Sequence, residues 1–354
     1  MTLRFSTPPA DVCLLRLSAI GDTCHALAVL RALQAAWPQT RFTWIIGRVE
    51  ARLMSALSPG VEFITFDKRA AWSEWRRLRA LLAPRRFDLL LHLQLAFRAS
   101  LVSTAVRAGH RLGFDRDRAR EAQWLFTNAQ IAPRRREHVL DSLLGFARAC
   151  GVEPGPPQWR PALPAEALAY AAQVIPDDQP TLLISPCSSR PSRNWSAAGY
   201  AAAAEHAARA WQMRVVLIGG PSALEKRMGD EITARCAVPL ENQIGKDTLP
   251  LLLGLIARAT VLLSPDSGPA HMATMVNTPV VGLYAATNPA RSGPYLSLAT
   301  CVDRFDAACR RFRGRPAHEL PWATKIEEAG VMDLIEPDAV AAMLDAVMRG
   351  PRVR

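Results

Sequence analysis

The stretch "LLSPDSGPAHMAT", residues 262–274, sets Asp266, Ser267 and Gly268 between an apolar strand-like run and a helical pattern opened by Pro269. Proline is favoured in the first turn of a helix, where its missing N–H is not needed. Unpaired backbone N–H groups, the positive end of the helix dipole and the Ser267 hydroxyl would converge on one spot there, which suits a phosphate or diphosphate. Gly268 would let an anion approach the backbone, and His271 follows on the helix. The same residues also read as an ordinary capped helix, with Asp266 or Ser267 as N-cap. A second stretch, "ISPCSSRPSRNW", also follows a strand-like run and groups Ser188, Ser189, Arg190 and Arg193. Hydroxyls and fixed guanidinium charges surround a diphosphate well, although an arginine-bearing surface loop has the same composition. Loops that follow strands of one parallel sheet share an edge, so the two readings strengthen each other.

Near the start, "LLRLSAIGDTCHALAVLR" breaks an apolar run with a glycine turn and then opens a helix with Asp22 at its mouth. A carboxylate there is stabilised by the helix dipole. Facing a substrate, it can take the proton of a hydroxyl as that oxygen attacks; otherwise it is a helix-terminal acid with no chemistry. His25 lies on the same helical face and has no assignment beyond a core or capping role. "IGGPSALEK" has only a Gly-Gly pair after a strand, and neither G-x-G-x-x-G nor a Walker A sequence occurs, which weakens dehydrogenase and NTPase readings.

The elements that must carry these groups alternate. Strand-like "VCLLRL", "FTWIIG", "VEFITF" and "FDLLLHLQ" in the first half are separated by amphipathic helical stretches, and "TLLISP", "RVVLIGG", "TVLLSP" and "PVVGLY" repeat the scheme in the second. Alternation of this kind predicts parallel sheets covered by helices. Between them, residues 151–180 are rich in proline and read as a linker carrying one short helix. The expected division is 1–165, 166–335, and a final helix in 336–354 that could pack back on either half, the N-terminal domain included.

With 354 residues, 49% of them hydrophobic, the chain can fill two cores. No apolar run is long enough for a bilayer span and the first residues show no signal-like apolar region, so a cytoplasmic chain is expected. Seven cysteines without C-x-x-C spacing point to small buried thiols rather than a disulfide framework or a zinc site, and no metal ligand set is expected. The net charge of +11 is confined to residues 1–150, which hold 23 Lys and Arg against 12 Asp and Glu, whereas the remainder balances. An anionic partner of the first half is implied, with a solvated basic face as the alternative. The densest run, "KRAAWSEWRRLRALLAPRR" at 68–86, places Trp72, Trp75, Leu78, Leu81 and Leu82 at helical spacing among arginines, as on a helix that lies on an anionic membrane. An amphipathic helix packed on its own domain fits the same pattern. No RRM, helix-turn-helix or zinc-finger pattern supports a nucleic-acid partner.

Taken together, "SAIGDTCHALAVLRAL", "SSRPSRNW" and "SPDSGPAHMATMVNTPVVGLYAATNP" resemble the ADP-heptose:lipopolysaccharide heptosyltransferases, glycosyltransferase family 9, over most of the chain. The likeness is greatest to the member that adds the first heptose to Kdo. The resemblance implies an α/β chain of GT-B architecture: two Rossmann-like domains with parallel sheets facing a central cleft, the first for the acceptor and the second for the nucleotide sugar. It implies inverting, metal-independent transfer without a cofactor, from ADP-heptose to a Kdo-lipid A type acceptor, at the cytoplasmic face of an anionic inner membrane. By carry-over Asp22 is the general base. Ser188, Ser189, Arg193 (where a lysine is usual), Glu225, Asp266, Ser267, Gly268 and His271 are on the donor side, and Gly21, Arg98, Arg120 and Glu121 on the acceptor side. The alternative is a GT-B nucleotide-sugar-binding protein with another acceptor or no transferase activity.

Overall fold

The strands are continuous apolar runs rather than alternating ones, because helices cover both faces of a parallel sheet. In the first domain the order is β1 (Asp11–Leu15), α1 (Ile20–Ala36), β2 (Arg41–Gly47), α2 (Arg48–Leu57), β3 (Glu62–Phe66), α3 (Ala71–Leu82), β4 (Phe87–His92), α4 (Phe97–Ser103), β5 (Ala108–Gly113), β6 (Ala129–Gln130) and α5 (Val139–Ala149). The second domain continues with α6 (Ala165–Val174), β7 (Thr181–Ile184), α7 (Ala197–Trp211), β8 (Arg214–Leu217), α8 (Ala223–Arg235), β9 (Glu241–Asn242) and α9 (Leu249–Arg258). It ends with β10 (Val261–Pro265), α10 (Gly268–Met275), β11 (Val280–Tyr284), α11 (Pro289–Ser292), β12 (Cys301–Asp303), α12 (Phe305–Arg313) and α13 (Pro337–Arg349). This computed structural model describes residues 3, 5, 7–159 and 161–350.

Each domain carries one six-stranded sheet, ordered β3-β2-β1-β4-β5-β6 in the first and β12-β11-β10-β7-β8-β9 in the second. All named strand pairs are parallel, Leu15 standing between Ile45 and His92 and Leu263 between Ile184 and Val281. Both sheets therefore have the doubly wound order, which reverses direction between β1 and β4 and again between β7 and β10. Chains leaving those neighbouring strands part to opposite sides, so the polar loops beyond them are left open to a ligand.

The chain divides between Ala162 and Leu163, a little before the expected boundary. The reason lies in α6, whose Ala167 and Ala171 are buried. A Cβ at Gly254 of α9 would collide with the Ala167 carbonyl, so α6 and α9 pack backbone to backbone and the linker helix belongs to the second domain. The proline-rich segment before it is anchored to the first domain instead, by Trp159, whose Nε1 donates to the Cys24 carbonyl at 2.8 Å. The last helix packs within the second domain: Val340 and Leu344 join its core, and Asp345 accepts from Trp211 and pairs with His206, both at 2.7 Å. Residues 351–354 of that expected element lie outside the described residues.

Candidate active site

In the second domain the loops after β7 and β10 meet. Arg193 Nη1 lies 3.0 Å from Asp266 Oδ2 and also reaches the Asp266 carbonyl at 3.4 Å. His271 Nε2 stands 3.8 Å from Asp266 Oδ1. Burial by itself would raise the Asp266 carboxyl; the His271 bond, the Arg193 charge and the Thr287 hydroxyl outweigh it and hold the group below the usual carboxylate range. Asp266 is thus an ionised, buried anchor that fixes one edge of the Arg193 guanidinium. The Ser188–Arg193 loop is held by Asn194, whose Oδ1 takes the Ser188 N–H at 2.7 Å, and by Trp195, which donates to the Ile335 carbonyl at 2.9 Å. Ser188 is buried and Ser189 exposed.

The helix after Asp266 begins at Gly268, one residue before the expected start, with Ser267 as N-cap. Ser267 makes no side-chain cap bond; its Oγ lies 2.8 Å from the Ser264 hydroxyl instead. The N-terminal N–H groups of α10 are therefore not satisfied by the residue type that ordinarily does so. Glu225 sits at the third position of α8, its Oε1 accepting the Gly220 N–H at 2.7 Å and its Oε2 the Ser222 hydroxyl. A Cβ on Gly220 would lie 3.0 Å from that carboxylate and one on Gly219 3.2 Å from it, so either would crowd the cap.

In the first domain Asp22 is at the third position of α1, where its Oδ2 accepts the Ala19 N–H at 3.3 Å and pairs with Arg16. Arg16 is itself fixed, donating from Nε to the Ser18 carbonyl at 2.8 Å and from Nη1 to the Leu93 carbonyl. The Arg16 side chain is 12% exposed and that of Asp22 35%, so the guanidinium is enclosed while the carboxylate can be reached. The helix-terminal reading and the chemical one share this geometry, and Gly21 sits beside it at the helix start.

The end of β4 completes this edge. Gln94 Oε1 takes the Leu17 N–H at 2.7 Å, tying the two switch-point strands together. The Gln123 amide lies within 3.0 to 3.1 Å of the His92 and Gln94 carbonyls and of His92 Nδ1. His92 Nε2 faces the Ser100 hydroxyl at 3.2 Å, and burial pushes this histidine down to about 3, so it is a neutral strut. Arg98 and Arg120 are exposed on either side. Glu121 accepts the Phe97 N–H, which holds the Arg120–Glu121 turn against the start of α4. His25 is buried instead: it is 2% exposed and meets the ring of His138, the N-cap of α5, edge-on at 5.6 Å.

Other residues of these sites carried no local signal. Lys325, whose backbone bridges to Thr287, has its ammonium pKa pushed down by burial and further by Arg193, Arg291 and Arg190. Four cations thus lie near one another around Lys325, and Arg193 among them joins this cluster to Asp266, although Lys325 is remote from both loops in sequence. Arg16 was hidden in an apolar strand run. Among the described residues, no three His, Cys, Asp or Glu side chains gather as metal ligands, and the buried thiols of Cys150, Cys187 and Cys301 are pushed up to about 12.

The helix expected at 68–86 is shorter and differently faced. Leu78 and Leu82 are core residues and Trp75 packs against that core, while Trp72 is exposed. Leu78 and Leu82 therefore belong to the domain interior, whereas Leu81 is 48% exposed, and Arg77 is engaged by Glu74 at 2.9 Å. The outward side chains of the helix include Trp72, Arg76, Arg79 and Leu81.

Two doubly wound domains, with diphosphate-suited donors at the switch point of one and a reachable carboxylate at that of the other, are the make-up of a GT-B glycosyltransferase. The chain belongs to glycosyltransferase family 9, the heptosyltransferases, whose model matches residues 75–323. It is 40% identical over 344 residues to the lipopolysaccharide core heptosyltransferase OpsX of Haemophilus influenzae, covering 96% of this chain and 97% of that one. Among solved structures, the family 9 glycosyl transferase of Veillonella parvula matches with a TM-score of 0.77 at 19% identity, over 96% of this chain and 97% of that one. Heptosyltransferase WaaC of E. coli, solved with ADP, matches at 0.71 and 17% identity, over 95% and 99%. The two structural likenesses carry the fold; the family membership makes the chain a glycosyltransferase.

Proposed function

We propose that this glycosyltransferase moves heptose from ADP-heptose to a Kdo-containing inner-core acceptor of lipopolysaccharide, by a single inverting displacement that needs no metal. The observation that carries the reading is the meeting of the two anion-suited loops at Arg193 and Asp266. The donor diphosphate is taken by Ser188, Ser189, the Arg193 N–H groups that Asp266 does not hold, and the N-terminus of α10 at Ser267 and Gly268. His271 and Asp266 fix that arginine, and Glu225 reaches the ribose with the lone pairs its cap leaves. WaaC, a structural neighbour, is itself an ADP-bound heptosyltransferase.

On the acceptor side, Gly21, Arg98, Arg120 and Glu121 bind the phosphorylated, carboxylate-bearing sugar. The acceptor hydroxyl gives its proton to Asp22, its oxygen bonds to the anomeric carbon, and the bond from that carbon to the diphosphate oxygen breaks on the opposite side. ADP leaves with one more negative charge than it had as an ester. Arg193, Arg190 and Lys325 stabilise that growing charge, which is the electrostatic role a metal plays in other transferases. No helix among the described residues is long and apolar enough to cross a membrane. The proposed acceptor is lipid-linked, which puts the proposed reaction at the anionic cytoplasmic face of the inner membrane.

The test is incubation with ADP-heptose and truncated lipopolysaccharide acceptors, with mass spectrometric product readout, with and without EDTA. A heptose-mass adduct on a Kdo-terminated acceptor, equal in both conditions, is expected. Donor binding without transfer to any acceptor would overturn the transferase reading, and loss of turnover on chelation would overturn its metal-independent form.

A further inference from the structure

Among the described residues of the first domain six large apolar side chains are exposed; besides Val49 and Leu81, the other four line one path. Trp72 of α3 is 65% exposed, Leu101 and Phe97 of α4 45% and 47%, and Leu125, in the turn before β6, 74%. These are physically joined. Trp72 stacks on Trp75 at 5.1 Å between ring centres, and Trp75 Nε1 donates to the Leu101 carbonyl at 3.2 Å and the Thr104 hydroxyl at 3.1 Å. Phe97 and Leu101 are one helical turn apart, and Phe97 meets Phe126, the neighbour of Leu125, edge-on at 6.0 Å.

Cations flank this ridge along its length. Arg76 lies over Trp72 and Arg79 over Trp75, each 5.2 Å from the ring centre, and Arg116 lies 5.6 Å over Trp124. Indole rings with guanidinium groups at their faces suit the level of lipid headgroups, where the rings enter the interface and the charges meet phosphate.

We infer that this composite ridge, from α3 through α4 to the turn at Leu125, is the docking surface for an anionic lipid bilayer. It differs from a single amphipathic helix because most of the α3 apolar face is spent on the core. Resting on the proposed acceptor side, the inference also deepens it. The ridge includes Phe97, next to Arg98, and its far end continues the turn of Arg120 and Glu121. An amphiphilic acceptor can then present its sugars to those residues while its acyl chains stay in the membrane.

The test is co-sedimentation of the full chain with phosphatidylcholine vesicles, with and without phosphatidylglycerol, comparing wild type with Leu125→Glu and Leu101→Glu. Both positions are exposed, and thermal melting checks that the variants stay folded. Each substitution should cut binding to the anionic vesicles by about tenfold, the scale of losing one buried leucine. Transfer to vesicle-embedded acceptor should fall in parallel, with transfer to a deacylated, water-soluble acceptor unchanged. Wild-type Trp emission should be quenched by bromine-labelled lipid chains. Unchanged binding of both variants, or equal binding to vesicles without phosphatidylglycerol, would overturn the inference. If the wild type binds as described but transfers heptose to neither acceptor, the membrane surface stands and the proposed reaction falls.

Discussion

Replacing Asp22 by Asn separates the chemical role of this carboxylate from its structural one. Two stabilising contributions are lost with the charge. The interaction of a carboxylate with the first turn of α1 is worth about 0.3–1 kcal/mol. The Arg16 pair, with Asp22 35% exposed, belongs with partly screened pairs worth about 0.2–1 kcal/mol. The sum is about 0.5–2 kcal/mol, which in a domain of this size lowers Tm by roughly 1–8 °C. Asn can still accept the Ala19 N–H, so α1 keeps its start and the variant remains folded at assay temperature. Removal of a general base, by contrast, costs about 10²–10⁴ in rate. The assay is ADP release at saturating donor and acceptor, with ADP affinity measured separately by calorimetry. The expected result is a fall in kcat of at least about a hundredfold with ADP affinity unchanged. Arg16→Met, which keeps the carboxylate but frees its orientation, should fall less, by about tenfold. An Asp22→Asn enzyme within threefold of wild type would refute the base assignment and return Asp22 to the helix-terminal reading.

Asp266→Asn should destabilise the protein by about 3 kcal/mol, the low end for breaking a buried pair, because Asn keeps the outline of the hydrogen bonds; denaturant melts measure it. Because the folded carboxyl lies below its unfolded value, this stability is fully present above about pH 4 and is lost as pH falls through the folded value, so wild type and variant converge in acid. For His92 the unfolded chain takes up a proton near pH 6.5, whereas the folded chain refuses it until about 3. Urea midpoints should therefore fall as pH drops through that window, and the slope should flatten in His92→Gln. Lys325→Ala should weaken ADP binding about tenfold with little change in acceptor KM. In wild type, calorimetry should show ADP affinity declining at a pH below the usual lysine range, since the depressed ammonium loses its charge early.

The strands that flank each switch point were legible because parallel strands buried on both faces need an unbroken apolar run, as in "LLLH" of β4 or "VLLSP" of β10. Of the others, β2, β3, β8 and β11 were legible too, but β5, β6, β9 and β12 were not. β6 and β9 have two residues each, and β5, "AGHRLG", is half polar and partly exposed, so neither length nor periodicity marks them. Loop residues that follow a legible strand, such as Asp22, Arg193 and Asp266, could be singled out as candidates from position and residue type together. Lys325 and Arg16 could not: one arrives through tertiary folding, and the other lies next to a strand whose composition disguises it. The error at α3 has a related cause. Helical spacing groups Trp72, Trp75, Leu78, Leu81 and Leu82, but spacing does not say whether the domain or a partner covers them, and here the domain takes Leu78 and Leu82 and leaves Leu81 exposed.

The repeated sheet order explains how one topology serves two chemistries without an internal sequence repeat. The fold supplies only a place, the diverging loops beyond two adjacent strands, and the loop residues decide what that place does. In the second domain those residues join opposite charges, with Arg193 against Asp266, and the domain's charges balance overall. In the first domain the surplus is positive, and Arg76 and Arg79 lie over indole rings. A cation over an aromatic face keeps its full charge available to an anion, whereas one paired with a carboxylate does not. Part of the basic excess of residues 1–150 thus lies on an exposed aromatic ridge. It predicts a salt-sensitive encounter with an anionic surface, a property the balanced second domain does not share.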